Sequence, residues 1–205
     1  LDKRTIRCRL ATLKEALEKI KKSRNVRRRH LRNVATVSLV GYTNAGKTTL
    51  FNRLSSSKEL AEDRLFATLD ARHARLLGVG GRAIVGSHPV GFLPKLPHAL
   101  VASFRSTLKE VEEADLLVHV VDASSPHADD QRRVAEEVLA EMGVPADRVL
   151  LAYNKTDCVG AVAPAGEIAI SAVSGAGLAD LRQSIVARLL SLGVAVPLLG
   201  APPPE

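Results

Sequence analysis

Short apolar runs alternate along the chain with stretches whose apolar residues recur every three to four positions, and this rhythm predicts strands alternating with helices. Ala35–Val40 reads as a buried strand and Lys47–Leu54 as the start of a helix. Arg72–Gly78 and Arg82–Gly86 read as two strands joined by a turn at Gly78–Gly81, a hairpin. Pro97 opens a helix with Leu100, Val101, Phe104, Leu108 and Val111 on one face; proline suits a first helical position, where its missing N–H is not needed. Leu116–Val121 is a strand, Asp129–Met142 a helix, Val149–Tyr153 and Ile168–Ser171 strands, and Leu178–Leu192 a last helix. The fold class that follows is α/β: a doubly wound, mostly parallel six-stranded sheet with one antiparallel edge strand and helices on its faces.

Ahead of this region the pattern changes. Ile6, Leu10, Leu13, Leu17 and Ile20 form a heptad seam on a helix expected to run to about Leu31, with no Gly or Pro before residue 40. The seam fades after Ile20, where Lys21, Lys22, Arg24, Arg27, Arg28, Arg29 and Arg32 crowd in. Thirteen Lys/Arg against three acids give residues 1–33 a net charge of +10, while 16 against 19 leave the other 172 residues at −3. The arm is therefore the polyanion-facing part, with RNA or ribosome contact set against a solvated helical linker. Three units are expected: a basic helical arm over 1–33, a nucleotide-binding domain over 34–193, and a Pro-rich tail over 194–205. A chain that opens on Leu1 is expected to continue upstream. Cys8 and Cys158 lack metal-ligand spacing and fit a reducing compartment, and no apolar run approaches a membrane span. The expected location is cytoplasmic, with an organellar matrix left open, and the expected state monomeric.

The chemistry begins at Gly41-Tyr42-Thr43-Asn44-Ala45-Gly46-Lys47-Thr48-Thr49, which fits G-x-x-x-x-G-K-[ST] between a predicted strand and a predicted helix. The glycines let successive backbone N–H groups curl around phosphate oxygens, and the helix N-terminus adds partial positive charge. Lys47 would bridge the β- and γ-phosphates, and the Thr48 hydroxyl would bind Mg2+. Asn154-Lys155-Thr156-Asp157 follows the strand Val149–Tyr153, at the carboxyl edge where open α/β sheets take ligands. The Asp157 carboxylate can accept from both N1 and N2 of guanine, a donor edge that adenine lacks, so GTP and GDP are favoured over ATP. Ser171-Ala172 follows another strand, and the Ala172 N–H would face guanine O6. His119, within a strand, reads as structural, and His98 and His127 as helix-start or surface residues. Asp122 belongs to no recognisable motif.

Taken together, Tyr42–Lys47, Leu65-Phe66-Ala67-Thr68-Leu69-Asp70, Val90-Gly91-Phe92, Leu96-Pro97-His98 and Phe104-Arg105-Ser106-Thr107-Leu108 resemble the HflX family of ribosome-associated GTPases over residues 3–192. The resemblance implies slow GTP hydrolysis, binding to the large ribosomal subunit and its rRNA, and a link to splitting or rescue of stalled ribosomes. It makes residues 1–33 the end of an N-terminal domain. It assigns Thr68 to the switch that closes on Mg2+ and the γ-phosphate, Gly91 to the switch II backbone N–H, and Asn44 to a possible K+ ion. Phe92 stands where Ras-like enzymes carry the water-orienting Gln. The family's Asp-Thr-Val-Gly-Phe is replaced by His88-Pro89-Val90-Gly91-Phe92, so the acid that holds magnesium through water is missing, and imidazole is a poor ligand for so hard an ion. A guanine-nucleotide-sensing module that no longer hydrolyses GTP is the alternative.

Overall fold

In the computed structural model, residues 34–55, 72–76, 84–88 and 110–198 are described. The strands are β1 (Ala35–Val40), β2 (Arg72–Arg75), β3 (Ile84–His88), β4 (Leu116–Asp122), β5 (Val149–Asn154) and β6 (Ile168–Ala169). The complete helices are α1 (Lys47–Leu54), α2 (Ala128–Glu141) and α3 (Leu178–Ser191). The expected arm over 1–33, the Gly78–Gly81 turn, the start of the helix at Pro97 and most of the tail lie outside the described residues.

The six strands form one sheet in the order β2-β3-β1-β4-β5-β6. β2 runs antiparallel to β3, pairing Arg72 with His88 and Arg75 with Val85, and every other pairing is parallel. The predicted class, strand count and single antiparallel edge therefore stand. Several boundaries differ: β6 is shorter than expected, ending at Ala169 rather than Ser171, and β3, expected to stop at Gly86, continues to His88 because pairing with β2 carries the ladder two residues further.

The alternation of side chains along each strand sorts the core into two faces. Val37 and Leu39 of β1, with Val118 and Val120 of β4, meet Leu50, Phe51 and Leu54 of α1 and Leu181, Ile185 and Leu189 of α3. On the opposite face Val40 and Leu117 pack with Ala135 and Leu139 of α2, and with Val111 and Ala114. Covered on both sides, the central strands are continuous apolar runs rather than alternating ones. β1 ends at Val40 and β5 at Asn154, and in a parallel sheet these carboxyl ends fall on one edge, with α1 starting beside it.

Candidate nucleotide-binding site

The loop from Gly41 to Gly46 joins β1 to α1, and two glycines decide its path. Gly41 has φ 141°, and a Cβ there would run into the Val120 carbonyl oxygen of β4. Asn44 and Gly46 are also left-handed, at φ 62° and 86°. Left-handed residues interrupting the turn aim successive N–H groups into one concavity, the geometry that receives phosphate oxygens. Lys47, the first residue of α1, is buried, and its ammonium donates to the Tyr42 carbonyl at 2.6 Å. Burial pushes that ammonium down to about 7 from its ordinary value. A cation held out of water beside an anion cradle gains most when phosphate arrives. Thr48 is half-buried at the start of the helix, and Asn44 is exposed.

The second cluster stands at the ends of β5 and β6. Asn154, fully enclosed, donates from Nδ2 to the Ala45 carbonyl at 2.9 Å and accepts at Oδ1 from the Ala172 N–H at 2.9 Å. One amide side chain thus ties the phosphate loop to the loop after β6. Gly46 has to be glycine here as well, because a Cβ would strike Asn154 Nδ2. The Ala172 N–H, expected to face guanine O6, is engaged by Asn154 in this arrangement. Ser171 is buried, and its Oγ accepts from the Ser174 N–H at 3.0 Å. Asp157 is exposed. Thr156 is held from below by the Ile170 carbonyl, which accepts from its Oγ1 at 2.9 Å.

Two contributors, Asp122 and Arg53, carry no local signature strong enough to single them out. Lys155 sits at φ 65°, and its ammonium meets Asp122 Oδ2 at 2.7 Å. Asp122 Oδ1 accepts from the Ser124 N–H at 3.0 Å and the Ser124 hydroxyl at 2.6 Å. Partial burial would raise the Asp122 carboxyl, but Lys155 and the two Ser124 bonds outweigh it and hold the group below its ordinary value. Asp122 therefore fixes the lysine between Asn154 and Asp157. The available signal was an Asp two residues before a Ser at a strand end, the pattern of an Asx turn. Arg53, at the end of α1, donates from Nε to the Ala172 carbonyl at 3.1 Å and from Nη2 to the Val173 carbonyl.

The described residues supply one part of a magnesium site. A Mg2+ bound with nucleotide usually keeps one or two carboxylates besides the phosphates. Among the described residues Thr48 offers a hydroxyl, Asp122 is engaged by Lys155 and Ser124, and no three His, Cys, Asp or Glu side chains gather into a metal site. His88 closes β3, is 1% exposed, and lies edge-on to Phe51 of α1 with ring centroids 4.6 Å apart. Its imidazole is thus part of the packing beneath α1. Thr68, Pro89, Gly91 and Phe92 lie outside the described residues. His119, expected to be structural, is buried in β4, while His127 is exposed just before α2.

A doubly wound parallel sheet with this loop between β1 and α1 defines a P-loop GTPase fold. A family model described as 50S ribosome-binding GTPase matches residues 36–155. Among curated relatives, the GTPase HflX of Caldanaerobacter subterraneus is 43% identical over 190 residues, covering 90% of this chain and 44% of that protein. The GTPase HflX of Escherichia coli is 39% identical, covering 100% of this chain and 50% of that protein. A GTP-binding protein of Sulfolobus solfataricus, solved in complex with GDP, superposes with a TM-score of 0.64 at 23% identity, covering 92% of this chain and 60% of the other. The chain belongs to the 50S ribosome-binding GTPases and, among them, to the HflX family. It spans about half the length of the HflX proteins it matches. Among the described residues no helix is long and apolar enough to cross a membrane.

Proposed function

We propose that residues 34–193 are the guanine-nucleotide-binding and hydrolysing domain of an HflX-type protein, with slow GTP turnover gating its association with the large ribosomal subunit. The observation that carries this reading is the Asn154 side chain, which joins Ala45 of the phosphate loop to Ala172 of the loop after β6 at one sheet edge. In this reading Gly41–Thr49 cradle the phosphates with Lys47 between β and γ, and Thr68 and Gly91 close over the γ-phosphate. Asn154, Lys155, Asp157, Ser171 and Ala172 hold the base. GTPases of this kind generally use Mg2+, for which Thr48 and Thr68 are the protein ligands. Asn44, exposed at the loop mouth, is the candidate for a K+ ion. Residues 1–33 are the rRNA-facing arm, residues 194–205 a tail, and the protein acts as a cytoplasmic monomer in splitting or rescue of ribosomes.

A second reading is a guanine-nucleotide sensor that binds without hydrolysing. The burial of His88 against Phe51, where the family carries a metal-holding acid, favours it. Single-turnover GTP hydrolysis, measured with and without purified 50S subunits, separates the two. Turnover stimulated by the subunit supports the enzyme; tight GTP binding with no turnover in either condition supports the sensor and refutes the enzyme.

A further inference from the structure

Arg53 is exposed on the last turn of α1, yet its guanidinium donates to protein backbone through Nε and Nη2. It reaches across 119 and 120 residues of sequence to two consecutive carbonyls, those of Ala172 and Val173. The planar fork of an arginine suits this task, because two donors in fixed geometry define both the position and the tilt of the loop they hold. The Ala172 residue is thereby held from both sides: its N–H by Asn154 Oδ1 and its carbonyl by Arg53 Nε. Asn154 in turn holds Ala45, two residues before the start of α1, while Arg53 stands at the other end of that helix. The result is a closed circuit running Ala45, Asn154, Ala172, Arg53 and back along α1. Arg53 is itself anchored, since its carbonyl, one of the last of the helix and without an intrahelical acceptor role, receives Nη2 of Arg182 from α3 at 3.1 Å.

We infer that Arg53 is a positioning residue for the guanine base: it sets the loop at Ala172–Val173 against the base side of the site and couples that loop to the helix that begins at the phosphates. This rests on the guanine-nucleotide reading proposed above and deepens it. Nothing in the circuit requires Arg53 to touch the nucleotide. Its effect is on how long the base stays, and the phosphate loop, held by Asn154 and by β1, keeps its shape without it.

The test is dissociation of a fluorescent GDP from the 205-residue chain and from Arg53→Ala and Arg53→Lys, together with competition by inorganic tripolyphosphate, which has no base. Expected is release about tenfold faster in Arg53→Ala, the scale of losing bonds to a charged donor. Arg53→Lys, which can restore one of the two bonds, should fall between, and tripolyphosphate should bind all three proteins alike. Equal GDP release in the unaltered chain and Arg53→Ala overturns the inference. So does an equal weakening of GDP and tripolyphosphate, which would make Arg53 a general structural tie. Failure of the unaltered chain to bind GDP at all would overturn the guanine-nucleotide reading itself, an outcome visible before any variant is compared.

Discussion

His119 offers the sharpest test of the packing around β4. It is 1% exposed, pairs in register with Val40 on one side and Leu151 on the other, and its Nδ1 finds no hydrogen-bond partner among the described residues. Burial first, then the Lys47 ammonium and the Arg132 guanidinium, push the imidazole down to about 4 from its ordinary 6.5. The ring therefore stays neutral in the folded chain and takes up a proton readily once unfolded. Between pH 6.5 and 4 the unfolded state binds more protons, so folding stability is fully present above 6.5 and is lost as the pH falls toward 4. The full gap corresponds to about 3 kcal/mol, of which about 2 kcal/mol is gone by pH 5. His119→Leu removes the titration and places an apolar side chain on the strand face shared with Leu117 and Val121. At pH 7.5 the variant should be at least as stable as the parent, since a buried nitrogen without a partner is lost. Urea unfolding at pH 7.5 and pH 5 should show the parent losing about 2 kcal/mol more than the variant, roughly 1 M in midpoint at a typical urea slope. Carboxylates titrate in both proteins and cancel in the comparison. Parallel losses in parent and variant would refute the reasoning, because the histidine would then be charging freely inside the fold.

The remaining expectations concern the nucleotide and the ribosome. Asp157→Asn should move preference from GTP to xanthosine triphosphate, read by competition; unchanged selectivity would remove Asp157 from base recognition. His88→Asp with Pro89→Thr should raise single-turnover hydrolysis by more than about tenfold, or about 1.4 kcal/mol of barrier, and a parent already as fast would show the switch II acid to be dispensable here. Hydrolysis should run faster in K+ than in Na+, with Asn44→Ala erasing the difference; equal rates in both salts would end that role for Asn44. Binding to 50S subunits should weaken as salt rises, with a shallower log–log slope once residues 1–33, carrying +10, are removed; an identical slope would make those cations mere solubilisers.

Local periodicity and turn chemistry were enough to draw most of the fold. β1 and α1 lie where the apolar pattern placed them, β4 and β5 each extend one residue beyond their expected ends, and the phosphate loop sits between a strand and a helix as its spacing demanded. These features depend on residues within a few positions of one another, which a sequence displays directly. Other features depend on which strands become neighbours, and the linear pattern holds no record of that. The order β2-β3-β1-β4-β5-β6 carries β3 on to His88, and packing then lays the imidazole against Phe51 of α1. The sheet also brings Asn154 to Ala45 across 109 residues and Arg53 to Ala172 across 119. Both contacts end on main-chain carbonyls, which every residue possesses, so no choice of residue at position 45 or 172 could announce them. Asp122, assigned to no motif from the sequence, shows the division in one residue: its bonds to Ser124 lie within three positions, but its ion pair with Lys155 exists only because β4 and β5 lie side by side and end together.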